Sequence, residues 1–174
     1  MVEAIRHLGV EYRVNHLAPQ QAAFTWTDAG ETHRLSVHIR YSAHCYSEGL
    51  VDEAPSGSFV FSDAGGLRVF SPPRHALSLL VPGLIGNLIA KPTSRVGLTY
   101  EKNWSVYALT MTPTLAPGDL FYTFFRLRRS EPAELGNGVK RLELYVESAY
   151  SRRNRVPLRE IRTFGSAAMA SHKK

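Results

Sequence analysis

The segment that most constrains the fold is Arg141–Tyr150, whose side chains alternate between two faces of an extended chain. On one face its leucines and valine are predicted to lie together with Ser148 and Tyr150. A second run, Asp119–Arg129, is rich in aromatic residues and precedes the first. The sequence Gly-Asn-Gly at 136–138 is a turn signal between them. The two runs are therefore predicted to form an antiparallel pair of strands.

Three further hairpins are predicted upstream of this pair. Each consists of two alternating or apolar runs separated by turn-forming residues. Their pairings are 22–27 with 33–41, 58–62 with 67–70, and 96–100 with 104–108.

Two segments favour helices. Residues 82–90 begin with proline and place apolar side chains on one stripe. A second helix is predicted near Pro157, with Leu158, Ile161 and Phe164 facing inward. Together with the hairpins, these helices indicate a single α+β domain over residues 1–165, with a mainly antiparallel sheet and one or two helices. Residues 166–174 are predicted to form a basic, flexible tail.

The formal charge of +6 comes entirely from the C-terminal region. Residues 151–174 contain seven basic side chains and a single acidic one, Glu160, whereas the other 150 residues are balanced. A basic surface favours acidic partners, of which nucleic acid is the commonest. Tyrosines interleaved with arginines also suit base stacking. The predicted nucleic-acid contacts are Arg126, Arg141, Arg152, Arg153, Arg155, Arg159 and Arg162. The alternative is a solvated strand face beside a disordered basic tail.

The cysteine and histidine content predicts neither a disulfide nor a metal site. Cys45 is the single cysteine, and His38 and His44 are its nearest companions of metal-ligand type. Structural zinc needs four ligands, usually as two short-spaced pairs, and the second pair is missing here. A buried Cys45 that packs as a small hydrophobe is favoured over a zinc-stabilised interaction domain. No cofactor is predicted.

The N-terminus lacks the apolar segment of a secretory signal. The most apolar run, 77–90, is shorter than the roughly 20 residues of a membrane span. These features predict a cytoplasmic protein without a membrane partner. The chain also lacks the G-x-S-x-G, P-loop, G-x-G-x-x-G and H-E-x-x-H motifs, which leaves esterase, nucleotide-triphosphatase, dinucleotide and zinc-protease functions without support.

Three motifs occur in a fixed order: His-Cys-Tyr-Ser at 44–47, Arg-His-Ala-Leu-Ser at 74–78 followed by Pro82, and Val-Glu-Ser-Ala-Tyr at 146–150. In this order they resemble an uncharacterised family of bacterial proteins. That family shares a His-Cys-aromatic-Ser/Thr signature, an Arg-aromatic-x-x-Ser-x-x-x-Pro stretch and a closing V-E-S-A-Y strand. The resemblance covers about residues 33–165 and implies no settled function. His75 stands where the family pattern has Tyr or Trp.

The second half of the chain is also similar to metal-independent RNase toxins of the RelE, barnase and colicin type. In those proteins a basic strand, here 121–129, precedes a strand that ends in a hydroxyl residue and tyrosine, here Ser148 and Tyr150. The resemblance implies that an RNA 2′-hydroxyl attacks the adjacent phosphate. Tyr150 or His75 would handle the protons, while Arg128 or Arg129 would stabilise the phosphorane charge. Ser148 is the fifth residue of this predicted catalytic set. A histidine with no catalytic role is the alternative for His75.

The leading hypothesis is therefore a protein that binds or acts on RNA, in preference to DNA. A metal-independent, toxin-type endoribonuclease is the more specific form of this hypothesis. The alternative is a non-catalytic docking subunit of a phage, defence or other nucleoprotein assembly. A neutralising or assembly protein is the second predicted partner.

Overall fold

The structure is a computed structural model that describes residues 3–63, 65–108 and 118–173. Within these ranges the chain forms twelve strands and three α-helices. The strands are β1 (Ala4–His7), β2 (Val10–Arg13), β3 (Gln20–Asp28), β4 (Glu31–Tyr41), β5 (Ser47–Gly49), β6 (Val60–Asp63), β7 (Gly66–Phe70), β8 (Arg95–Thr99), β9 (Trp104–Ala108), β10 (Leu120–Glu134), β11 (Lys140–Arg152) and β12 (Leu158–Thr163). The helices are α1 (Pro72–Ser78), α2 (Val81–Ala90) and α3 (Phe164–His172).

The largest sheet has seven strands in the order β12-β8-β9-β10-β11-β4-β3. The predicted hairpins β3–β4, β8–β9 and β10–β11 all lie in it, and the prediction of an α+β fold is confirmed. The sheet is mixed rather than a series of hairpins, because β4 and β11 pair in parallel. Parallel strands are not joined by a short turn, so the sequence contains no turn signal from which the pairing of β4 with β11 could be predicted.

Two smaller units complete the fold. The predicted hairpin β6–β7 is present, but β7 also pairs with β5 in a separate three-stranded sheet. One residue of its turn, Ala64, lies outside the described residues, as does most of the connector predicted at 111–118. Strands β1 and β2 form a two-stranded ribbon. Ile5, Val14 and Phe70 form a small core beneath these units.

The main core lies between the seven-stranded sheet and helices α2 and α3. Helix α2 confirms the prediction at 82–90. It buries Val81, Ile85, Leu88 and Ile89, which recur at helical spacing. Complete burial of such a side chain contributes about 1.5–3 kcal/mol. In α3, Gly165 lies so close to Trp26 that a Cβ placed there would be 2.2 Å from a ring carbon.

The C-terminal region differs from the prediction of a helix near Pro157. Leu158–Thr163 is strand β12, which pairs with β8, and Leu158 and Ile161 are exposed. The edge of β8 offers ladder hydrogen bonds, and this tertiary pairing outweighs the local proline signal. The helix begins at Phe164, about two turns after Pro157, where the Thr163 hydroxyl accepts a hydrogen bond from the Ser166 backbone N–H.

The segment 166–174, predicted as a tail, contributes most of α3. Ala167, Ala168 and Met169 are buried against the sheet. Small residues allow this close approach. They differ little in hydropathy between the buried and the exposed side of the helix, so the sequence shows no apolar stripe that would predict α3. The described residues include no helix that is both long and apolar enough to cross a membrane.

A bulge in β11 changes the face on which Ser148 and Tyr150 lie. Val146 is opposite Phe125, but Ser148 is opposite Phe124, so Glu147 is the extra residue. Beyond the bulge, Ala149 occupies the core face instead. The prediction that Ser148 and Tyr150 share the face of Leu142 and Val146 is therefore wrong, because strict alternation stops at the bulge.

Candidate nucleic-acid interface

Strand β10 carries the centre of the predicted interface. Among the described residues it pairs with β9 from Phe121 to Phe125, and it continues to Glu134. Arg126 and Arg128 lie on one face of this extension, and Arg129 lies on the other. The shorter β8–β9 hairpin thus leaves a space beside the basic half of β10.

This space is a cleft of about 770 Å³, which we call the basic cleft. Strand β10, the turn between β8 and β9, strand β12 and the end of α3 form its walls. Six basic side chains line it against two acidic ones: Lys102, Arg126, Arg128, Arg129, Arg159 and Arg162 against Glu131 and Glu160. Three of these, Arg126, Arg159 and Arg162, are predicted nucleic-acid contacts, and two, Arg128 and Arg129, are predicted catalytic residues. The fold brings the five together from β10 and β12.

Three of the six cations in the basic cleft have carboxylate partners. Arg126 pairs with Glu147, Arg162 with Glu160, and Arg129 with Glu131 at 3.5 Å. No ion pair involves Lys102, Arg128 or Arg159 within the described part of the chain. All three residues are exposed, so their replacement should change the stability of the fold little. Their charge is available to an external anion.

Glu147, the bulge residue, connects the basic cleft to the turn between β8 and β9. One carboxylate oxygen accepts a hydrogen bond from Arg126 Nε. The other accepts from Asn103 Nδ2 at 2.9 Å. Asn103 in turn accepts from the Thr99 hydroxyl at 2.5 Å. This chain of hydrogen bonds fixes the turn against β10 and β11.

A second cleft, of about 220 Å³, lies on the other side of the same turn. We call it the aromatic cleft, after Tyr100, Phe124 and Tyr150 in its lining. The rings of Phe124 and Tyr150 stack with centroids 5.2 Å apart and an interplanar angle of 23°. Ser148 and Arg152 line the cleft as well. Two predicted catalytic residues, Ser148 and Tyr150, are therefore together here.

Tyr150 also contacts helix α1 through Arg74. The Arg74 guanidinium carbon lies 5.4 Å from the centroid of the Tyr150 ring, a cation–π arrangement. Nη1 of Arg74 donates to the carbonyl oxygens of His44 and Ser47 at 3.3 and 3.0 Å. The three sequence motifs therefore meet at one place, because Arg74 belongs to the second and Tyr150 to the third.

A second arginine holds the first motif. Arg68 is 9% exposed, and it donates to the hydroxyl and the carbonyl of Ser47 at 2.8 and 2.9 Å. Cys45 is completely buried, as predicted, and burial raises the pKa of its thiol to about 12. At neutral pH it is therefore a packed thiol rather than a nucleophilic thiolate. The observed contacts give the motif at 44–47 a structural role.

His75 lies apart from Tyr150, on the side of α1 that faces the N-terminal ribbon. Its Nε2 donates to the Arg13 carbonyl at 2.7 Å. The centroid of its ring is 5.3 Å from that of the Tyr12 ring and 5.5 Å from that of the His16 ring. His16 Nε2 is 2.8 Å from the Ser78 hydroxyl. Burial, followed by the charge of His75, lowers the pKa of His16. These histidines connect the β1–β2 ribbon to α1.

The predicted catalytic set is divided along β10. Tyr150 is paired with Tyr122, whereas Arg128 lies six residues further along the strand. At 3.4 Å per residue this is a separation of about 20 Å. A phosphate in contact with Tyr150 would therefore be out of reach of Arg128, and Arg129 is further still. The arginines close to Tyr150 are Arg74 and Arg152.

The remaining predicted contacts are dispersed. Arg141 donates to the Pro132 carbonyl at 3.4 Å, near the closed end of the β10–β11 hairpin. Arg155 lines a separate cleft of about 480 Å³ with Arg95. Arg153 is exposed. These three residues line neither the basic cleft nor the aromatic cleft.

Sequence reasoning missed Lys102, Tyr100, Glu147 and Arg74 as parts of the site. A turn at 102–103 was predicted, but its position beside β10 depends on the pairing of β9 with β10. Arg74 was noted only as the first residue of the motif at 74–78 and as a neighbour of His75. Tyr100 was assigned to the predicted strand at 96–100, and its place next to the predicted turn was the available signal.

Across the described ranges, no group of three or more His, Cys, Asp and Glu side chains could hold a metal ion. His44 Nε2 instead lies 2.8 Å from Asp63 Oδ2.

The chain belongs to the YjaZ family, whose family model matches residues 4–172. The match includes all three motifs and extends beyond the resemblance at 33–165. No curated protein and no solved structure matches the chain.

Proposed function

We propose that this member of the YjaZ family binds RNA through the basic cleft. The observation that carries the proposal is the convergence of six cationic side chains on one cleft, three of them without an ion-pair partner in the described residues. Lysine and arginine contacts with phosphates release condensed counterions, which makes such binding favourable and dependent on salt. The arginines also keep unused N–H donors after pairing with one carboxylate, because each guanidinium has five.

The spread of the charges favours a chain of phosphates over a single anion. Arg126 and Arg128 lie about 7 Å apart along β10, and Arg159 and Lys102 come from other walls of the cleft. One phosphate cannot contact all of them at once. RNA is proposed rather than DNA on the sequence pattern alone, in which a basic strand precedes a strand that ends in a hydroxyl residue and tyrosine, as expected for an RNase toxin. DNA of the same sequence is therefore the comparison ligand.

The test is fluorescence anisotropy of a labelled RNA at several salt concentrations. The double variant Arg128→Glu/Arg159→Glu reverses two unpaired charges in the basic cleft. Its matched control is Arg6→Glu/Arg34→Glu, which makes the same charge change at exposed arginines outside the cleft. We expect the cleft variant to lose at least about tenfold more affinity than the control at equal salt. Equal losses would attribute binding to net charge alone, and absence of binding by the wild type would refute the proposal.

Cleavage of RNA at Tyr150 is a second candidate function. It is favoured by the position of Tyr150 in a cleft with Ser148 and Arg152, under the guanidinium of Arg74. In this version Arg152 takes the charge-stabilising role first assigned to Arg128 or Arg129, and Arg74 holds the Tyr150 ring in place. His75, which contacts the N-terminal ribbon, has no role in it.

The test of cleavage is incubation of total RNA with the protein in excess EDTA. Tyr150→Phe keeps the ring against Phe124 and Arg74 but removes the hydroxyl. Loss of cleavage with retained binding would support a proton-transfer role for Tyr150. Binding by the wild type without turnover would instead favour a non-catalytic docking subunit of a nucleoprotein assembly.

A further inference from the structure

We propose that the RNA ligand is single-stranded and that Tyr100 stacks on one of its bases beside the basic cleft. This inference rests on the proposed RNA binding and names the class of RNA that the site takes. Tyr100 is 70% exposed and is the one aromatic residue among the exposed large hydrophobic residues of the described chain. It makes no ring contact with another described aromatic residue, so no aromatic ring covers either of its faces.

The turn that carries Tyr100 is held by several hydrogen bonds. Thr99 N–H donates to the Asn103 carbonyl at 2.9 Å, and Lys102 N–H donates to the Thr99 carbonyl at 3.2 Å. Lys102 has a φ of 64°, a left-handed conformation that non-glycine residues adopt only where the surroundings require it. Tyr100 is thus presented from a defined support, which lowers the entropy cost of binding a base.

The turn also forms the boundary between the two clefts. Lys102 lines the basic cleft, and Tyr100 lines the aromatic cleft. Below the turn, Arg126 and Phe124 are two residues apart on the same face of β10, at a spacing of about 7 Å. A nucleotide can therefore reach both clefts at once, with its phosphate on the basic side and its base on the aromatic side.

The two clefts differ in charge as this arrangement requires. The basic cleft has an excess of four positive charges, whereas Arg152 and Glu101 balance in the aromatic cleft. An uncharged, planar base suits the second site, and phosphates suit the first. In a duplex the faces of the bases are already stacked on one another, so only a single strand can offer a base to Tyr100.

The experiment compares a labelled single-stranded RNA of about 12 nucleotides with the same RNA annealed to its complement. Both are titrated against the wild type, Tyr100→Ala, Tyr100→Trp and the control Leu79→Ala. Leu79 is likewise exposed but lines neither cleft. We expect Tyr100→Ala to weaken single-strand binding by about 5- to 100-fold and to leave duplex binding unchanged. Tyr100→Trp should restore the affinity, and Leu79→Ala should not change it.

The salt dependence separates this inference from the proposed function. Tyr100→Ala removes no cation, so the slope of log K against log salt should remain that of the wild type, whereas Arg128→Ala should reduce it. Equal single-strand affinities for the wild type and Tyr100→Ala would overturn the stacking role, even if the arginine variants show that RNA binds in the basic cleft. Equal affinity of the wild type for duplex would overturn the preference for a single strand. A protein that binds neither RNA would refute the proposed function itself.

Discussion

Two pairs of arginines in this protein have opposite environments. Arg68 and Arg74 donate hydrogen bonds to the turn at 44–47, and Arg68 is almost completely buried. Arg128 and Arg159 are exposed, line the basic cleft and have no ion-pair partner among the described residues. The comparison teaches that arginine content alone does not indicate function. Burial and satisfied donors mark an arginine that supports the fold, whereas exposed and unused donors mark one available to a ligand.

The difference also has an energetic basis. A buried guanidinium that bonds a backbone carbonyl satisfies an acceptor that water cannot reach, so its removal leaves an unpaired polar group. An exposed guanidinium exchanges freely with water, and its removal costs the fold little. Stability and RNA affinity should therefore respond to different arginines.

The largest expected effect on stability is that of Arg68→Ala. The substitution removes the buried donor to the Ser47 hydroxyl and one of the two arginine donors to the Ser47 carbonyl, which keeps Arg74. It should lower the free energy of unfolding by about 1–3 kcal/mol. Urea denaturation followed by circular dichroism measures it, with Arg6→Ala as the exposed control. A loss no greater than that of the control would contradict the structural role assigned to Arg68.

Arg74→Lys should have a smaller effect, of about 1 kcal/mol. Lysine keeps the charge but lacks the planar group that bonds two carbonyls and lies over the Tyr150 ring. The same denaturation experiment measures the loss, and the chemical shifts of the Tyr150 ring report the local change. Unchanged shifts together with unchanged stability would break the proposed link between the motifs at 74–78 and 146–150.

The His16 contact predicts that stability depends on pH. The pKa of His16 is lowered from 6.5, chiefly by burial, so below that pH the unfolded chain takes up a proton that the folded chain does not. The free energy of unfolding should therefore fall as pH decreases through 6.5 and stop falling below the folded-state pKa. The neighbouring groups are His75, Ser78 and the Arg13 carbonyl.

Denaturation at a series of pH values tests this dependence, with His16→Gln as the comparison. The variant should lose part of the pH dependence, because glutamine keeps a donor for Ser78 without titrating. If the free energy of unfolding of the wild type rose as pH falls through this range, the predicted pH dependence would be wrong.

Arg128→Ala should have the smallest effect on stability, within about 0.5 kcal/mol of the wild type. Its effect should instead appear in RNA binding, where loss of one phosphate contact reduces the salt slope by about 1. Denaturation and anisotropy of the same preparation measure both quantities. A large loss of stability would show that Arg128 supports the fold as Arg68 does, which would contradict the distinction between the two pairs of arginines.

Most of the sheet could be predicted because its signals are local. Alternating side chains and a short turn specify β3–β4, β8–β9 and β10–β11 within fewer than 40 consecutive residues each. Strand β12 could not be predicted in the same way. Leu158, Ile161 and Phe164 have a spacing compatible with a helix, and only the free edge of β8 selects the extended form.

The candidate site could be predicted in composition but not in grouping. The sequence indicated the basic strand at 121–129 and the arginines beyond residue 150, but Arg128 was combined with Tyr150, about 20 Å away along the strand. The bulge at Glu147 and the position of the predicted turn at 102–103 beside β10 were also beyond sequence reasoning. Each depends on a partner strand whose register a single sequence does not reveal.

By itself, the sequence determined the hairpins, helix α2, the buried Cys45 and the excess of basic side chains, because each depends on neighbouring residues or on composition. The tertiary structure alone decided the parallel pairing of β4 with β11, the packing of α3 and the division of the arginines into supporting and exposed groups. Those features arise from contacts between segments distant in sequence. Their free energies depend on burial and geometry, which exist only once the chain has folded.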